Sequence, residues 1–332
     1  MLKSLMVGVG MAAMATGAIA QDDFKPAVVF DLGGKFDKSF NEGVWNGVKR
    51  FMDETGVEVM EFEVTNEAQR EQAITRMAQR GASVVLGVGF SQADAIDKVA
   101  QEYPDTEFAI IDVSWLDRPN LRQYAFKEHE GSYLVGVAAA LASETGTVGF
   151  VGGMDIPLIQ KFLCGYKQGV MATNADATVL ANMTGTTPSA WNDPTKGAEL
   201  TRSQIDRGAD VVYHAAGGTG LGVIRAAADQ GKLAIGVDSD QYSVAPGSVL
   251  TSMLKRVDNA AYDTFMDAMN DEFTAGVQIL GIKEEGVDYV ADADNENLLT
   301  AEMREEVDAA KAAIVAGEID VHNYDDDKAC PI

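Results

Sequence analysis

The stretch AVVFDLGGKFDKSFN, residues 27–41, carries the pattern that decides the fold. It begins with four consecutive apolar residues, 27–30, which is typical of a short strand buried on both faces. A polar loop with two glycines follows, and a helix is predicted over residues 41–55. A buried strand, a loop and a helix in this order are the first part of a βαβ unit.

The same alternation continues along the chain and then restarts. In the first half, strands are predicted over 57–62, 83–88 and 108–113, and helices over 67–80 and 92–102. In the second half, strands are predicted over 147–151, 178–183, 211–215 and 233–237, and helices over 156–171, 195–207 and 221–230. Val- and Ile-rich strands separated by helices of this length indicate parallel sheets. We therefore predict an α/β protein with two doubly wound parallel-sheet lobes, which suits a chain of this length.

Residues 1–20 have the layout of a secretory signal peptide. Lys3 precedes an apolar run that ends in Ala18-Ile19-Ala20, so cleavage is expected before Gln21. The alternative interpretation is the first helix of a cytosolic protein. Because no cysteine stands at the expected cleavage point, we expect no lipid anchor there. No later stretch is apolar over the ~20 residues that a membrane span needs, so the mature protein is expected to be free outside the cytoplasm.

The charge and the cysteines narrow the partners and the compartment. The chain has 51 Asp plus Glu against 26 Lys plus Arg, a net charge of −25. Nucleic acids and anionic lipids bind basic surfaces, so neither is expected as a partner. Cys164 and Cys330 are the two cysteines. In an exported protein, two thiols predict one disulfide, which would tie the C-terminal tail to the body.

Ligands of parallel sheets bind beyond the carboxyl ends of the strands. The segments that follow the predicted strands are 31–34 with 37–41, 87–90, Asp112, 152–153, 191–193, 217–220 and 238–240. They carry carboxylates, glycines and aromatic rings. The sequence therefore predicts a polar cleft with flat apolar faces, formed by both halves of the chain.

Two aromatic residues of these loops are candidates for stacking. Phe40 and Trp191 lie in polar loops, one in each half of the chain. Aromatic faces stack on flat rings, which is how proteins hold a nucleobase without a charged partner. The alternative is that each ring covers the core of its own lobe.

The polar candidates also have two interpretations. Asp238, Asp240 and Asp112 follow strands and could accept hydrogen bonds from a sugar diol, or could cap loops. Ser39 or Asn41 could cap the helix that follows, with or without a ligand at its N-terminus.

Enzymatic signatures are scarce. The glycine-rich stretch 217–222 is a weak dinucleotide signal, because it lies deep in the chain and exported proteins rarely use a diffusible nicotinamide cofactor. His129, His214 and His322 show no metal-ligand spacing, and neither a Gly-x-Ser-x-Gly elbow nor a P-loop lysine is present. We expect no cofactor, no metal and no enzymatic activity. An exported nucleoside hydrolase remains the alternative, although its aspartates would cluster around a metal rather than follow separate strands.

Several ordered blocks of the chain resemble the basic membrane protein family of ABC-transporter substrate-binding proteins, which includes purine nucleoside receptors. The blocks are residues 31–41, 130–136, 149–153, 217–220, 236–241 and 249–255. The resemblance implies a type I periplasmic-binding fold, in which three strands cross a hinge between two lobes that close on the ligand and deliver it to a permease. The implied domains are residues 21–126 plus 244–279 for lobe 1, and 127–243 plus 280–332 for lobe 2.

The resemblance also implies roles for particular residues. A purine base would stack between Phe40 and Trp191, with Asp31 on its edge and Asn41 nearby. Asp238 and Lys255 would take the ribose hydroxyls. The complete predicted ligand-binding set is Asp31, Lys38, Ser39, Phe40, Asn41, Phe90, Asp112, Trp191, Asn192, Gly217, Gly218, Asp238, Asp240 and Lys255.

The chain departs from the family pattern at two points. Many members are lipoproteins, and the missing cysteine here suits a free receptor, expected to be monomeric, in the periplasm of a Gram-negative cell. Trp191 stands where a nucleoside receptor is expected to have Phe, so a larger flat heterocycle is an alternative ligand. A sugar or amino-acid receptor and a sensor partner that docks on a membrane receptor also remain open.

Overall fold

The computed structural model describes residues 24–331, and the predicted signal peptide over residues 1–20 lies outside this range. The strands are β1 Pro26–Phe30, β2 Met60–Glu63, β3 Val84–Gly87, β4 Glu107–Ile111, β5 Leu121–Phe126, β6 Thr147–Met154, β7 Thr178–Gly185, β8 Val211–Ala215, β9 Leu233–Asp238, β10 Val249–Lys255, β11 Gly276–Leu280 and β12 Val287–Tyr289. The helices are α1 Phe40–Thr55, α2 Gln69–Gln79, α3 Ala93–Glu102, α4 Glu128–Ala142, α5 Pro157–Thr173, α6 Pro194–Asp206, α7 Gly220–Asp229, α8 Val257–Met269, α9 Ala301–Ala316 and α10 Tyr324–Asp327.

These elements form two lobes of the type I periplasmic-binding fold. The first lobe contains a sheet of order β11-β5-β4-β3-β1-β2, and the second a sheet of order β12-β10-β9-β8-β6-β7. Neighbouring strands are parallel except β12, which runs antiparallel to β10. The central strands are buried on both faces because helices cover both sides of each sheet. The prediction of two doubly wound lobes is confirmed.

The sequence analysis missed β5 and α4. The strand LRQYAF contains a buried arginine, and its polar residues interrupt the apolar run that marked the other strands. The Arg122 guanidinium is satisfied by Asp267, at 2.7 Å, and by the carbonyl oxygen of Thr274, at 2.9 Å. Those partners lie far along the chain, so periodicity gives no sign of them. Helix α4 begins with three buried polar residues, Glu128, His129 and Glu130, which likewise hide its position.

The lobe assignment of one strand differs from the prediction. Strand β10, within the range 244–279 assigned to lobe 1, pairs with β9 and so lies in the second sheet. The apolar strand β10 hydrogen-bonds along the edge of β9. The helix that follows it, α8, packs on α1 of the first lobe. The correction therefore moves residues 249–255 to lobe 2.

Within the described chain, the backbone crosses between the lobes at three places. These are Lys127, Arg256 and the segment 281–286. The crossings lie side by side, because Lys127 donates a backbone hydrogen bond to Leu280 and Arg256 donates one to Gly286. Three adjacent crossings make a hinge on one side of the molecule.

The predicted disulfide is confirmed: Cys164 of α5 is bonded to Cys330. The bond holds the C-terminal segment against α5, where Asp325 lies 3.6 Å from the ammonium of Lys161. Among residues 24–331, no helix combines the length and the apolar character that crossing a membrane requires.

Candidate ligand-binding cleft

A cleft opens between the lobes at the carboxyl ends of the strands, and it holds about 700 Å³ of empty space, part of it open to solvent. Nine residues of the predicted set line the cleft: Asp31, Phe40, Asn41, Phe90, Asp112, Trp191, Gly217, Asp238 and Lys255. The other five, Lys38, Ser39, Asn192, Gly218 and Asp240, lie at its margin and are described below.

The two predicted stacking residues face the cleft from opposite lobes. Phe40 is the first residue of α1, and Trp191 ends a short 3-10 turn, Pro188–Trp191. Both rings are half-buried and also pack against the apolar core. Each ring therefore packs on the core, as the alternative interpretation expects, and lines the cleft as well.

The helix α1 is capped by a residue that the sequence analysis did not select. The Asp37 carboxylate accepts the backbone N–H groups of Ser39, Asn41 and Glu42 at 2.9 to 3.1 Å. Ser39 occupies the N-cap position, but its side chain makes no capping hydrogen bond. Burial raises the pKa of Asp37 to about 6, although these three hydrogen bonds oppose the shift. Neither Ser39 nor Asn41 therefore caps the helix as predicted.

One end of the cleft is centred on Asp31. Its carboxylate accepts a hydrogen bond from Arg70 Nε at 3.0 Å and another from the hydroxyl of Ser91. Burial raises the pKa of Asp31, and the Arg70 guanidinium acts in the opposite direction. Arg70 lies on α2 and Ser91 lies in the short turn after β3, so their positions along the chain do not indicate a contact with Asp31.

Asn41 brings an unsatisfied acceptor to the same region. Its Nδ2 donates to the carbonyl oxygen of Gly34 at 3.2 Å. Its Oδ1 is buried and accepts no hydrogen bond from the described part of the chain. A buried polar atom without a partner costs free energy, so this oxygen favours a ligand that brings a donor.

The other end of the cleft is centred on Lys255, whose ammonium lies 2.6 Å from Asp112 and 3.0 Å from Glu128. Glu128 also pairs with Lys161, at 2.7 Å. Burial alone would lower the pKa of Lys255, but Asp112 and Glu128 outweigh it and hold the pKa above its usual value. Burial likewise favours a neutral Glu128, yet Lys161 and Lys255 lower its pKa to about 2. Lys161 was missed because it lies within helix α5, and Glu128 was missed because the strand that precedes it, β5, was not predicted.

Asp238 also faces Lys255, but the negative charge of its carboxylate is less fully balanced by nearby cations and hydrogen-bond donors. Burial raises its pKa to about 7; Asp37 and Asp112 act in the same direction, whereas Lys255 and the Ser39 hydroxyl oppose the shift. The backbone of Asp238 is left-handed, with φ at 66°, as is that of Asp112, with φ at 68°. Such backbone is uncommon outside glycine, and here it turns both carboxylates toward the cleft end.

The lobes touch at the margin of the cleft. The hydroxyl of Ser39 donates to Asp238 Oδ2 at 2.5 Å. The Ser239 hydroxyl donates to the carbonyl oxygen of Ser39 at 3.2 Å, and Gln241 Nε2 donates to that of Lys38 at 2.9 Å. These hydrogen bonds hold the N-terminus of α1 on the second lobe, so the cleft is closed along this edge.

The remaining predicted residues do not line the cleft. The side chain of Lys38 is exposed and pairs with Glu42 at 2.8 Å. Asp240 is exposed and accepts the backbone N–H of Tyr242. Asn192 is exposed and Gly218 is buried. Among residues 24–331, no group of three or more His, Cys, Asp or Glu side chains could hold a metal ion.

The sequence of this chain is similar to those of several known proteins. Residues 24–325 match the family model described as Bmp, ABC transporter substrate-binding protein PnrA-like. The chain is 31% identical over 332 residues to the ABC transporter nucleoside-binding protein BmpA of Lactococcus lactis, covering 93% of this chain and 92% of that protein. It is 37% identical over 283 residues to an uncharacterized lipoprotein of Pyrococcus furiosus, covering 80% of this chain and 69% of that protein.

A solved structure shares the fold. It is that of an ABC transporter system solute-binding protein from Aeropyrum pernix, with a TM-score of 0.82 and 28% identity. The match covers 90% of this chain and 93% of that one.

Proposed function

The chain belongs to the Bmp family of ABC-transporter substrate-binding proteins, and from this premise we propose that its cleft captures a purine nucleoside for delivery to the membrane permease. The observation that carries the proposal is that two aromatic rings, Phe40 and Trp191, line one cleft together with polar side chains, namely Asp31, Asn41, Asp238 and Lys255. A flat base with a polar edge and a hydroxyl-bearing sugar on the opposite side has the matching shape. The name of the lactococcal relative, a nucleoside-binding protein, supports the same ligand class.

The Asp31 end suits the edge of a base. Asn41 Oδ1 is an acceptor without a partner, and the Asp31 carboxylate has lone pairs beyond those used by Arg70 and Ser91. A purine carries ring or exocyclic N–H groups that could donate to both oxygens. We assign Asn41 and Asp31 to the base on this ground.

The Lys255 end suits the ribose. Asp238 offers a carboxylate and Lys255 an ammonium, so together they can accept and donate hydrogen bonds to neighbouring hydroxyls. Because Ser39 already donates to Asp238, a ribose hydroxyl would share or replace that hydrogen bond. Phe40 and Asp238 lie on different lobes, so a ligand that contacts both stabilises the closed state through contacts that the open state lacks.

We also propose that the protein is exported and acts in the periplasm as a free monomer. The signal-peptide pattern of residues 1–20 supports export. The cysteine that would carry a lipid is missing from the expected cleavage point, in contrast to what the name of the Pyrococcus relative says of that protein.

The test is a thermal-shift screen of residues 21–332 against adenosine, guanosine, inosine, free bases, sugars, amino acids and riboflavin. A ligand that binds only the folded state stabilises it by about 2.7 kcal/mol at a hundred times its Kd. We expect a purine nucleoside to raise the Tm, and Trp191→Ala to abolish the shift. Phe36→Ala is the control, because this aromatic ring is exposed and lines neither the cleft nor the cavity that adjoins it.

Other outcomes would redirect the proposal. A shift with riboflavin or a sugar but with no purine nucleoside would replace the ligand and leave the family role intact. Release of free base from inosine during the incubation, measured by chromatography, would instead indicate a nucleoside hydrolase.

A further inference from the structure

We propose that Gly153 is a positioning residue for Trp191: the space left by its missing side chain seats the indole and sets the width of the slot for the base. The inference rests on the proposed function, because it concerns the ring that would stack on the ligand. It adds a residue that touches no ligand yet determines how well one binds.

The contact between Gly153 and Trp191 is too close for any side chain at position 153. A Cβ built there would lie 2.8 Å from Cη2 of the indole, and closer still to Cζ3 and Cε3. These three adjacent atoms belong to the six-membered ring, so this ring lies against the backbone of β6. Because protein interiors are close-packed, an added methyl group must displace the indole or the strand.

Backbone conformation does not explain the glycine. The φ angle of Gly153 lies outside the left-handed region, so alanine is conformationally allowed there. The preceding Gly152 has a different neighbour: a Cβ there would lie 2.7 Å from Cγ2 of Ile159. Successive residues of a strand point to opposite faces, which accounts for the two separate requirements. The indole is therefore specific to Gly153.

The turn that carries Trp191 is anchored on its other side. Thr184 Oγ1 lies 3.1 Å from the carbonyl oxygens of both Gly153 and Ala190. Thr219 Oγ1 donates to the same Ala190 carbonyl at 2.7 Å and accepts the backbone N–H of Asp193 at 2.7 Å. With the turn held at both ends and β6 paired with a strand on each side, the indole yields toward the cleft that it lines.

A small displacement of this ring matters for stacking. Dispersion attraction falls steeply with distance, and a gap error of about 0.5–1 Å forfeits a quarter to a half of the contact energy. An indole pushed toward Phe40 would narrow the slot, and a tilted indole would leave part of a bicyclic base uncovered. Gly153 therefore sets the width and parallelism of the slot.

The experiment is a double-mutant cycle on the mature chain, with Kd measured by isothermal titration for the purine nucleoside that binds most tightly. We expect Gly153→Ala to weaken binding about tenfold or more in the Trp191 background. Trp191→Phe removes most of the six-membered ring that Gly153 contacts, so adding Gly153→Ala to it should change Kd by less than about twofold. The matched control is Gly185→Ala, whose Cβ would meet Ala190 at an ordinary 3.6 Å and should leave Kd unchanged.

A second readout needs no ligand. Gly153→Ala should alter the near-ultraviolet circular dichroism of Trp191, and the same change should leave the spectrum of Trp191→Phe unaltered. An unaltered spectrum in the Trp191 background, or equal losses of affinity in both backgrounds, would overturn the inference. If no nucleoside binds the wild type, the proposed function fails while the spectra still decide the role of Gly153.

Discussion

The two ends of the cleft hold carboxylates in different electrostatic settings. At one end, Asp31 faces a single cation, Arg70, and both side chains retain 12–14% of their exposure. At the other end, Lys255 is 2% exposed and is surrounded by Asp112, Glu128 and Asp238. Lys161 is the second cation there, and it also donates to the carbonyl oxygen of Phe126 beside the first hinge crossing.

The difference separates a part of the site that serves mainly the ligand from a part that also serves the fold. Burial already raises the pKa of Asp31, so the folded protein gains little from the charge of this carboxylate, and a neutral replacement should cost little folding free energy. A buried network is costly to break, because removal of one partner leaves uncompensated charge in a medium of low dielectric constant. The Lys255 end therefore combines the proposed ligand contacts with the integrity of the hinge.

The largest effect is expected from Lys255→Met. The substitution keeps most of the side-chain volume but leaves Asp112 and Glu128 with one cation, Lys161, so the free energy of unfolding should fall by about 3–5 kcal/mol. Urea denaturation measures the change. The control is Lys98→Met, because Lys98 pairs with Glu71 on the surface and its loss should not be measurable. A loss below about 1 kcal/mol for Lys255→Met would contradict the idea that this end maintains the fold.

The pH dependence of stability should come from the same end. Because the folded protein raises the pKa of Asp238 to about 7, its folded form binds the proton more tightly than its unfolded form. The contribution of this group is therefore fully present below pH 4 and is lost as the pH rises through 7. The free energy of unfolding of the wild type, minus that of Asp238→Asn, should fall by about 2–3 kcal/mol between pH 5 and pH 8.

Most of the effect of the other titrating groups cancels in this difference, which keeps the part of their titration that depends on the charge of Asp238. Asp37, with a pKa of about 6, destabilises both proteins in the same direction as the pH rises. Burial lowers the pKa of His129 and of His214 to about 4, so protonation of these histidines destabilises the folded protein as the pH falls. This effect is the same in the wild type and in the variant. A difference that is flat from pH 5 to pH 8 would mean that Asp238 is ionised throughout and that Lys255 compensates it fully.

Some residues at each end of the cleft could be predicted from the sequence, and others could not. Strands such as β1 and β8 were found because continuous apolar runs mark strands that are buried on both faces. The rule that ligands bind at the carboxyl ends of strands then led to Asp31, Phe40, Asp112 and Asp238. These positions depend on local order along the chain, so local patterns suffice to find them.

The residues that were missed depend on distant partners. Glu128 reads as an ordinary acidic helix start, and only its contact with Lys161 of the next helix and Lys255 of a distant strand shows that it is buried. Arg70 similarly reads as a surface residue of α2 until Asp31 is placed beside it. The position of Ser39 at the start of α1 could be predicted, but the hydrogen bond from its hydroxyl to Asp238 of the other lobe could not, nor could the capping role of Asp37. Hydrogen-bond partners across lobes leave no trace in periodicity.

The smallest effect on stability, paired with a clear effect on binding, is expected from Asp31→Asn. The amide removes a charge that burial already disfavours in the folded protein, so the free energy of unfolding should fall by about 1 kcal/mol or less. The same change replaces an acceptor oxygen that the proposal assigns to the base edge, and a charged hydrogen bond contributes about 1.5–3 kcal/mol, so Kd should rise roughly tenfold or more. Asp97→Asn is the control, since Asp97 pairs with Arg118 at 2.8 Å outside the lining of the cleft and should leave Kd unchanged. If Asp31→Asn destabilised the protein as much as Lys255→Met while Kd stayed constant, Asp31 would belong to the structural framework, and the base edge would have to be recognised by Asn41 alone.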